Sequence, residues 1–340
     1  MITILFSVGY NFKKRIDLIK AIEKYRECIS ELYFSFDDFP NGRNAFDTES
    51  ELSRFEMMDI KRQDLKLISE LGIGLNVLFN GNCYGKYSES RVFFNKVGET
   101  VDYLSSLYNV RCITTTSPLI AKFIKKNFNN VEVRASVNME IGTPEGMDYI
   151  SDFFDSYYLK REYNRDLSKI KTARDWCDKN GKKLFGLANS GCLNFCSART
   201  FHDNLVSHET EIIEMDNAYQ FEGQCWEYLR KPEKNTDWLS HTNFIRPEDT
   251  HLYEDFFDGF KLATRVSNYP SKIIESYCKS SYNGAITELL EPNHSSMFYP
   301  MVIDNKSILA DFGKRVLECS KICSECEYCR SVQKKATILL

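Results

Sequence analysis

The sequence predicts an α/β protein folded as a (β/α)8 barrel of the TIM type, irregular in places, with a cysteine-rich appendage at its C-terminal end. Two observations lead to this fold class. Short apolar runs rich in β-formers alternate with longer amphipathic runs, which is the pattern of parallel strands joined by crossover helices. Eight or nine such units follow one another over roughly 280 residues, which fits a closed barrel better than an open sheet.

Nine segments qualify as strands. In chain order they are residues 2–8, 31–36, 74–79, 112–116, 131–137, 155–159, 183–188, 243–245 and 260–263. A (β/α)8 barrel has only eight places for strands. We therefore expect one of the last two segments to be a short extension outside the barrel.

Amphipathic helices are predicted between these strands. The main ones cover residues 13–24, 59–70, 90–107, 118–127 and 163–180. The first shows the pattern most simply, because Ile16, Ile19 and Ile22 recur at helical spacing.

The chain changes character after residue 290. It continues with two prolines, a candidate helix at 307–317 and then a group of cysteines. We therefore divide it into a barrel domain, residues 1–290, and a C-terminal cysteine-rich extension, residues 291–340.

Bulk properties argue against several classes of function. The 340 residues are 43% hydrophobic and 27% charged with a net charge of −4, which is typical of a globular protein and gives no reason to expect a nucleic acid partner. No apolar run approaches the roughly 20 residues of a membrane span, and the first residues do not resemble a signal peptide. We therefore expect a cytoplasmic location, where thiols stay reduced. The twelve cysteines then indicate metal or iron–sulfur ligation and not disulfides.

Polar side chains and cysteines follow the predicted strands. The active sites of such barrels lie at the C-terminal ends of the strands, which together form the mouth of the barrel. The residues at these ends include Asp37, Asp38, Asn80, Cys83, Asn138, Glu140, Arg161, Arg165, Asn189, Cys192, Cys196, Arg246, Glu248 and Arg265. Their convergence predicts a ligand-binding site at the mouth.

The first group of cysteines is predicted to hold a metal centre at the mouth. Cys192 and Cys196 follow the seventh strand, Cys225 lies later in the same long segment, and Cys83 follows the third strand. Four thiolates are the usual ligands of a 4Fe–4S cluster, and zinc also accepts four. The alternative is that these are separate buried cysteines, which behave as small hydrophobic residues.

The second group lies in the tail, where Cys319, Cys323, Cys326 and Cys329 fall within the run CSKICSECEYC. Packing does not explain so many thiols in so short a segment. A loop wrapped around a 4Fe–4S cluster or a zinc ion would use all four, in a structural or electron-relay role. The alternative is a disordered cysteine-rich tail.

Other polar residues at the mouth are candidates for catalysis and substrate binding. We assign His202, Arg246 and Arg165 to catalysis, because a histidine near a cluster can donate a proton and arginine binds anionic groups bidentately. Arg265, Glu248 and Asn189 are assigned to substrate binding. The arginines predict a carboxylate or phosphate on the ligand. Glu248 also has a structural explanation, as an acidic residue in the first turn of a helix that begins with a proline.

Several segments resemble, in the same order, blocks of the collagenase-like peptidase family. They are FSVGYNF, GLNVLFNGNCYG, YNRDLSKI, LANSGCLNFCSARTFHDNLVSH and FIRPEDTHLYEDFFDGFKLATR. The closest resemblance is to small iron–sulfur-binding, peptidase-like members, which are related to proteins of oxygen-independent ubiquinone and tRNA hydroxylation. The resemblance implies a barrel whose mouth carries cysteines for a 4Fe–4S cluster. The chain departs from the peptidase-type members around the cysteines, and Phe221 and Gln224 stand where a further cysteine is expected before Cys225.

The predicted function is an iron–sulfur enzyme that oxidises, hydroxylates or otherwise modifies an anionic or peptide-like substrate without oxygen. Such an enzyme needs an electron donor. The first alternative is a peptidase, which the family name supports although the sequence shows no recognisable nucleophile–base pair. The second alternative is a non-catalytic, cluster-bearing subunit that acts with a partner protein.

Overall fold

The structure, a computed structural model, describes residues 4–36, 39–41 and 51–340. Within these residues eight parallel strands close into a barrel, each paired with the next and the last paired with the first. The strands are β1 (Phe6–Gly9), β2 (Ile29–Ser35), β3 (Gly74–Phe79), β4 (Val110–Thr115), β5 (Glu132–Ala135), β6 (Ser156–Tyr158), β7 (Lys183–Leu187) and β8 (Gly259–Leu262). The prediction of a (β/α)8 barrel is confirmed.

The ninth strand candidate, residues 243–245, is the one that lies outside the barrel. The backbone N–H of Ile245 donates to the carbonyl oxygen of Ala188 (2.8 Å), just beyond the end of β7. The segment therefore lies beside the residues just beyond β7, and β8 is the eighth strand of the barrel.

Helices surround the barrel. They are α1 (Arg15–Lys24), α2 (Arg54–Glu70), α3 (Arg91–Leu107), α4 (Pro118–Asn127), α5 (Pro144–Asp148), α6 (Leu167–Lys179), α7 (Arg199–Ser207), α8 (Glu209–Ile213), α9 (Gln224–Leu229), α10 (Pro232–Asn235), α11 (Pro270–Cys278), α12 (Phe312–Glu318) and α13 (Tyr328–Ala336). The helix predicted at 59–70 starts earlier, because Ser53 and Glu56 form a reciprocal capping box at its first turn. None of the described helices is long and apolar enough to cross a membrane.

The inside of the barrel carries a buried polar network. Oε1 of Glu31 accepts hydrogen bonds from Ser7 Oγ (2.7 Å), Asn76 Nδ2 (2.8 Å) and Arg134 Nη1 (2.6 Å). The guanidinium of Arg134 also stacks on the ring of Phe185, 3.8 Å from its centroid. A buried charge requires such compensation, and here the charge of Glu31 is balanced by Arg134.

The C-terminal extension packs against the barrel. Strands β9 (Met301–Ile303) and β10 (Thr337–Leu339) form an antiparallel pair, and the helix predicted at 307–317 is the shorter α12. Gln333 of α13 accepts a hydrogen bond from the backbone of Leu239 (2.8 Å). Val332 and Ala336 belong to the same hydrophobic cluster as the barrel strands, so the core continues into the extension.

Candidate active site at the barrel mouth

A cavity of about 150 Å³ lies among the loops that leave the C-terminal ends of the strands. Thiols, basic side chains, a histidine and the acidic residues Asp203 and Glu291 line it together with apolar groups. The position agrees with the site predicted from the strand ends. Asp37 and Asp38, which were expected there as well, lie outside the described residues.

Three thiols share this cavity. Cys192 and Cys196 lie on the loop after β7, and Cys225 lies in the first turn of α9. Burial raises the pKa of the Cys225 thiol to about 11, and the negative charges of Cys192 and Cys196 act in the same direction. The sulfur atoms of Cys192 and Cys196 are therefore close enough to influence the ionisation of Cys225.

The backbone of the Cys192 loop is fixed at two points. Gly191 passes so close to Pro292 that a Cβ atom would overlap the Pro292 carbonyl oxygen. Phe195 has a φ of 52°, in the left-handed region that non-glycine residues occupy at a cost of about 1–3 kcal/mol. Its side chain is 70% exposed, whereas Cys196 next to it lines the cavity. The turn that directs the two cysteines is therefore conformationally strained.

Cys83 has a different environment from the other three thiols. It follows β3 but does not line the cavity, and its thiol lies close enough to the imidazole of His208 for the two groups to interact. This interaction, with a contribution from the N–H of Gly85 (N to Sγ 3.4 Å), lowers the pKa of Cys83. The same interaction raises the pKa of His208, whose Nδ1 lies 2.9 Å from a carboxylate oxygen of Glu211. A thiol, an imidazole and a carboxylate thus stand in the order of a nucleophile, a base and an orienting group.

The Cys83 pair lies beside the cavity. The backbone N–H of Asn82 donates to Ser207 Oγ (2.8 Å), and Asn82 Nδ2 donates to the carbonyl oxygen of Asn138 (3.3 Å). Asn138 itself lines the cavity. The loop that carries Cys83 is therefore fastened to the rim of the mouth.

Basic side chains surround the cavity. Arg161, Arg199, Arg265 and Lys261 all contribute to its wall. Nη1 of Arg161 lies 3.8 Å from Sγ of Cys192, which is the distance of a weak hydrogen bond to sulfur. Burial opposes the charge of Arg199, but the neighbouring thiol of Cys192 and the carboxylates near it raise its pKa overall. Asp203 and Glu291 also line the cavity, and the three guanidinium groups of Arg161, Arg199 and Arg265 outnumber these two carboxylates, which favours an anionic ligand.

Among the residues predicted for catalysis, only His202 lines the cavity, where its ring packs against Phe221 at 5.5 Å between centroids. Arg246 is buried in a bidentate ion pair with Asp249 (2.7 and 2.9 Å). Arg165 donates to the carbonyl oxygens of Phe244 (2.9 Å), Leu239 and Thr242. Both arginines therefore hold loops together, away from the cavity.

Among the residues predicted for substrate binding, Arg265 lines the cavity but Glu248 and Asn189 do not. Glu248 accepts hydrogen bonds from the backbone of Tyr282 (2.7 Å) and from Asn305 Nδ2 (2.9 Å). Asn189 exchanges hydrogen bonds with the backbone of Ala263 (2.6 and 3.0 Å). These two side chains connect the last barrel strands to the segments that follow them.

The four tail cysteines lie near one another. Cys319, Cys323 and Cys326 are exposed, and Cys329 is partly buried in α13. Burial raises the pKa of Cys329 to about 11; Arg165 opposes this shift, and the other three thiols add to it. The tail thiols are thus within electrostatic range of each other.

Proximity of thiols is not the same as a formed metal site. Within residues 4–36, 39–41 and 51–340, no three side chains of His, Cys, Asp or Glu are arranged to hold a metal ion. The mutual pKa effects show neighbouring sulfur atoms, whereas ligation requires all of them at bonding distance from one centre. Metal binding at the mouth and in the tail therefore stays a prediction.

Two basic residues of the cavity were not singled out from the sequence. Arg199 lies three residues after Cys196, so its closeness to the cysteine motif could have indicated that it lies at the cavity. Lys261 stands inside the strand sequence GFKL, where a charged residue on a barrel strand was the signal. Both project from positions that only the closed barrel brings to one cavity.

The fold and the site define a class: an α/β barrel with thiols and basic groups at the carboxyl ends of its strands. No model of a known protein family matches the chain. The chain is similar to the "Uncharacterized protease MJ1657" of Methanocaldococcus jannaschii, with 24% identity over 331 residues that cover 94% of this chain and 92% of the relative.

A solved structure has the same fold. It is described as the U32 peptidase Mk0906, and the superposition covers 76% of this chain and 91% of that chain with a TM-score of 0.54 and 16% identity. At this identity the likeness concerns the fold. Together the two comparisons support the resemblance to the collagenase-like, or U32, peptidases, and they do not address the iron–sulfur branch.

Proposed function

We propose that this protein is a U32-like peptidase that binds an anionic peptide in the barrel mouth and cleaves it with the thiol of Cys83. The observation that carries the proposal is a basic cavity with a paired thiol and imidazole on its rim. The names of the similar protein, a protease, and of the similar structure, a U32 peptidase, support the same class. This places the peptidase alternative ahead of the iron–sulfur enzyme.

The cavity suits a short anionic segment. Arg161, Arg199 and Arg265 offer planar groups that bind carboxylates in bidentate fashion. A volume of about 150 Å³ is below the roughly 300–1,000 Å³ of pockets for drug-sized ligands. We therefore expect a carboxylate-bearing side chain or chain terminus to enter the cavity while the peptide bond lies over the rim.

The pair on the rim has the chemistry for acyl transfer. Because His208 lowers the pKa of Cys83 and Cys83 raises the pKa of His208, the two favour the thiolate–imidazolium state. The thiolate attacks the peptide carbonyl carbon, the C–N bond breaks, and the imidazolium gives its proton to the leaving amine. Water then hydrolyses the thioester with His208 as base, which releases the acid and restores the thiol. Glu211 orients the imidazole through Nδ1.

An assay on casein and denatured collagen tests this proposal. Cys83→Ser should lower the rate about a thousandfold or more, as expected when the nucleophile of a coupled set is removed. Cys192→Ala is the matched control, because it removes a thiol from the cavity wall and leaves the pair intact. Equal cleavage by the wild type and Cys83→Ser, or none by either, would overturn the proposal.

A second candidate is the iron–sulfur enzyme, which is favoured by the three thiols that line one cavity. Cys192, Cys196 and Cys225 would supply three thiolates, and Arg161 beside Cys192 would offset part of their charge. Cys83 does not line the cavity, so the fourth position would be left to another ligand. When bound, a 4Fe–4S cluster would supply electron transfer for a redox or hydroxylation reaction, with electrons from a separate donor or a partner subunit.

Anaerobic purification tests the second candidate. The wild type should be brown and contain iron, and Cys192→Ala should lose it. Iron at background after anaerobic reconstitution would remove this candidate. Activity that appears only with a co-purifying partner would instead favour a cluster-bearing subunit.

The tail is proposed as a separate structural metal site for iron–sulfur or zinc. All residues from 318 to 327 are exposed, so no buried side chain holds this segment in place. A metal bound by Cys319, Cys323, Cys326 and Cys329 would order the segment, since binding energy then acts as folding energy. Such a metal would fix the conformation of the segment between α12 and α13, near Arg165.

A further inference from the structure

Lys261 is a buried lysine at the cavity for which neither proposed reaction has a use. It lies in β8, paired with Ser7 of β1 and Leu187 of β7, and its side chain lines the cavity. The residue is only 8% exposed. Lysine is rarely buried to this extent without a paired charge.

No carboxylate in the described part of the chain forms an ion pair with Lys261. Glu31 is the nearby acid that favours its charge, but Glu31 is already bound by Arg134, Ser7 and Asn76. The ring of Tyr33, with its centroid 4.0 Å from Nζ, is the main stabilising contact of the ammonium group. Tyr158 lies farther away, at 5.6 Å.

The surroundings favour the neutral amine. Burial is the largest of the effects that together lower the pKa of Lys261 to about 7; the charges of Arg265, Arg161 and Arg134 act in the same direction, and that of Glu31 opposes them. The cation–π contact with Tyr33 opposes this shift only weakly. With this lowered pKa, an appreciable share of the protein molecules carry the neutral amine at Lys261 near neutral pH, whereas an ordinary lysine with a pKa near 10.4 is almost fully charged.

We propose that Lys261 is a carbonyl-reactive amine, which binds a small anionic aldehyde or 2-oxo acid at the mouth as an imine. The arginines of the wall would hold the carboxylate of this ligand, and the amine lies in the same cavity. The nitrogen attacks the carbonyl carbon, a C–N bond forms, and the carbonyl oxygen leaves as water after taking up both amine protons. No oxidant or reductant is needed, and Cys83 has no part in the step.

Reductive trapping tests this site on the full-length protein. Glyoxylate with cyanoborohydride converts an imine on lysine into carboxymethyl-lysine, which peptide mass spectrometry locates. We expect Lys261 to be labelled at pH 7 at least tenfold faster than exposed lysines such as Lys20, and labelling to disappear at this position in Lys261→Arg. Lys61 is the internal control, because it is also buried but donates to the carbonyl oxygen of Ser35 (2.7 Å) and lies away from the cavity.

Glycolaldehyde is the matched neutral probe, because a hydroxymethyl group replaces the carboxylate. Faster labelling of Lys261 by glyoxylate supports the anionic class of ligand, and equal labelling overturns it. Labelling confined to exposed lysines overturns the reactive amine itself. These readouts are independent of peptide cleavage, so they separate this proposal from the peptidase proposal.

Discussion

The two groups of cysteines differ in what brings them together. Cys192 and Cys196 lie on the loop after β7 and Cys225 lies in α9, and the fold places all three around one cavity among arginines. The tail thiols are neighbours along the chain, in a segment whose residues 318–327 are all exposed. The fold alone therefore positions the mouth thiols, whereas in the tail the proposed metal would hold the exposed segment. We expect the two groups to respond differently to mutation.

The largest expected effect is that substitution of cysteines in one group removes all metal from that group and none from the other. In the tail, the double variant Cys323→Ser/Cys326→Ser should remove the tail metal and leave any iron at the mouth unchanged. At the mouth, Cys192→Ser/Cys196→Ser should do the reverse. Elemental analysis of the three anaerobically prepared proteins distinguishes iron from zinc in each group. Full retention of metal by both variants would show that neither group binds one.

Truncation after Leu317 should destabilise the protein beyond the loss of a metal. It removes α13, whose Val332 and Ala336 are buried in the common core, and the hydrogen bond from Leu239 to Gln333. We expect a loss of at least about 4 kcal/mol, as for the removal of several buried groups. Thermal unfolding of the truncated protein and of Cys323→Ser/Cys326→Ser measures the difference. An unchanged Tm after truncation would contradict the shared core.

The positions of the barrel strands were predictable because their patterns are local. Apolar runs between turn-forming residues mark each strand, and residues 243–245 are the surplus candidate that was expected outside the barrel. The mouth was predictable as a place, because parallel strands direct their carboxyl ends to one side. The convergence of Cys192, Cys196 and Cys225 follows from this rule.

The partners of individual side chains were not predictable. Arg165 is held by carbonyl groups of residues 239–244, and Cys83 by His208, both far away in sequence. No local pattern encodes such contacts. Arg246 differs in that its partner Asp249 stands only three residues later, yet Arg246 was assigned to catalysis and not to this ion pair.

Gly191→Ala should disturb the mouth and not the tail. A Cβ at this position overlaps the carbonyl oxygen of Pro292, so the loop must shift, at a cost of about 1–3 kcal/mol. Gly146→Ala is the matched control, because its Cβ has no neighbour closer than 3.5 Å and it lies in α5, where alanine is favoured. We expect a lower Tm for the first variant only. Equal Tm values would show that the loop adapts freely.

The smallest effect concerns thiol reactivity in the metal-free protein. Cys225 at the mouth and Cys329 in the tail both have a pKa raised to about 11, so at pH 7 they are less ionised than an ordinary thiol. Cys83 has a lowered pKa and is more ionised. Because nucleophilicity falls with pKa, we expect iodoacetamide to label Cys83 only about tenfold faster than Cys225. Peptide mass spectrometry over a range of pH checks this order, and the reverse order would contradict the assigned environments.

The central claim is that an anionic peptide binds in the mouth and is cleaved by Cys83. The most direct measurement is kcat/KM for two fluorogenic peptides that differ only in a C-terminal carboxylate or amide, with the wild type, Arg265→Gln and Cys83→Ser. We predict that the wild type has a higher kcat/KM for the carboxylate peptide than for the amide peptide. In Arg265→Gln this ratio of kcat/KM values should fall about tenfold, and Cys83→Ser should cleave neither peptide. Cleavage of both peptides by Cys83→Ser at the wild-type rate would contradict the claim.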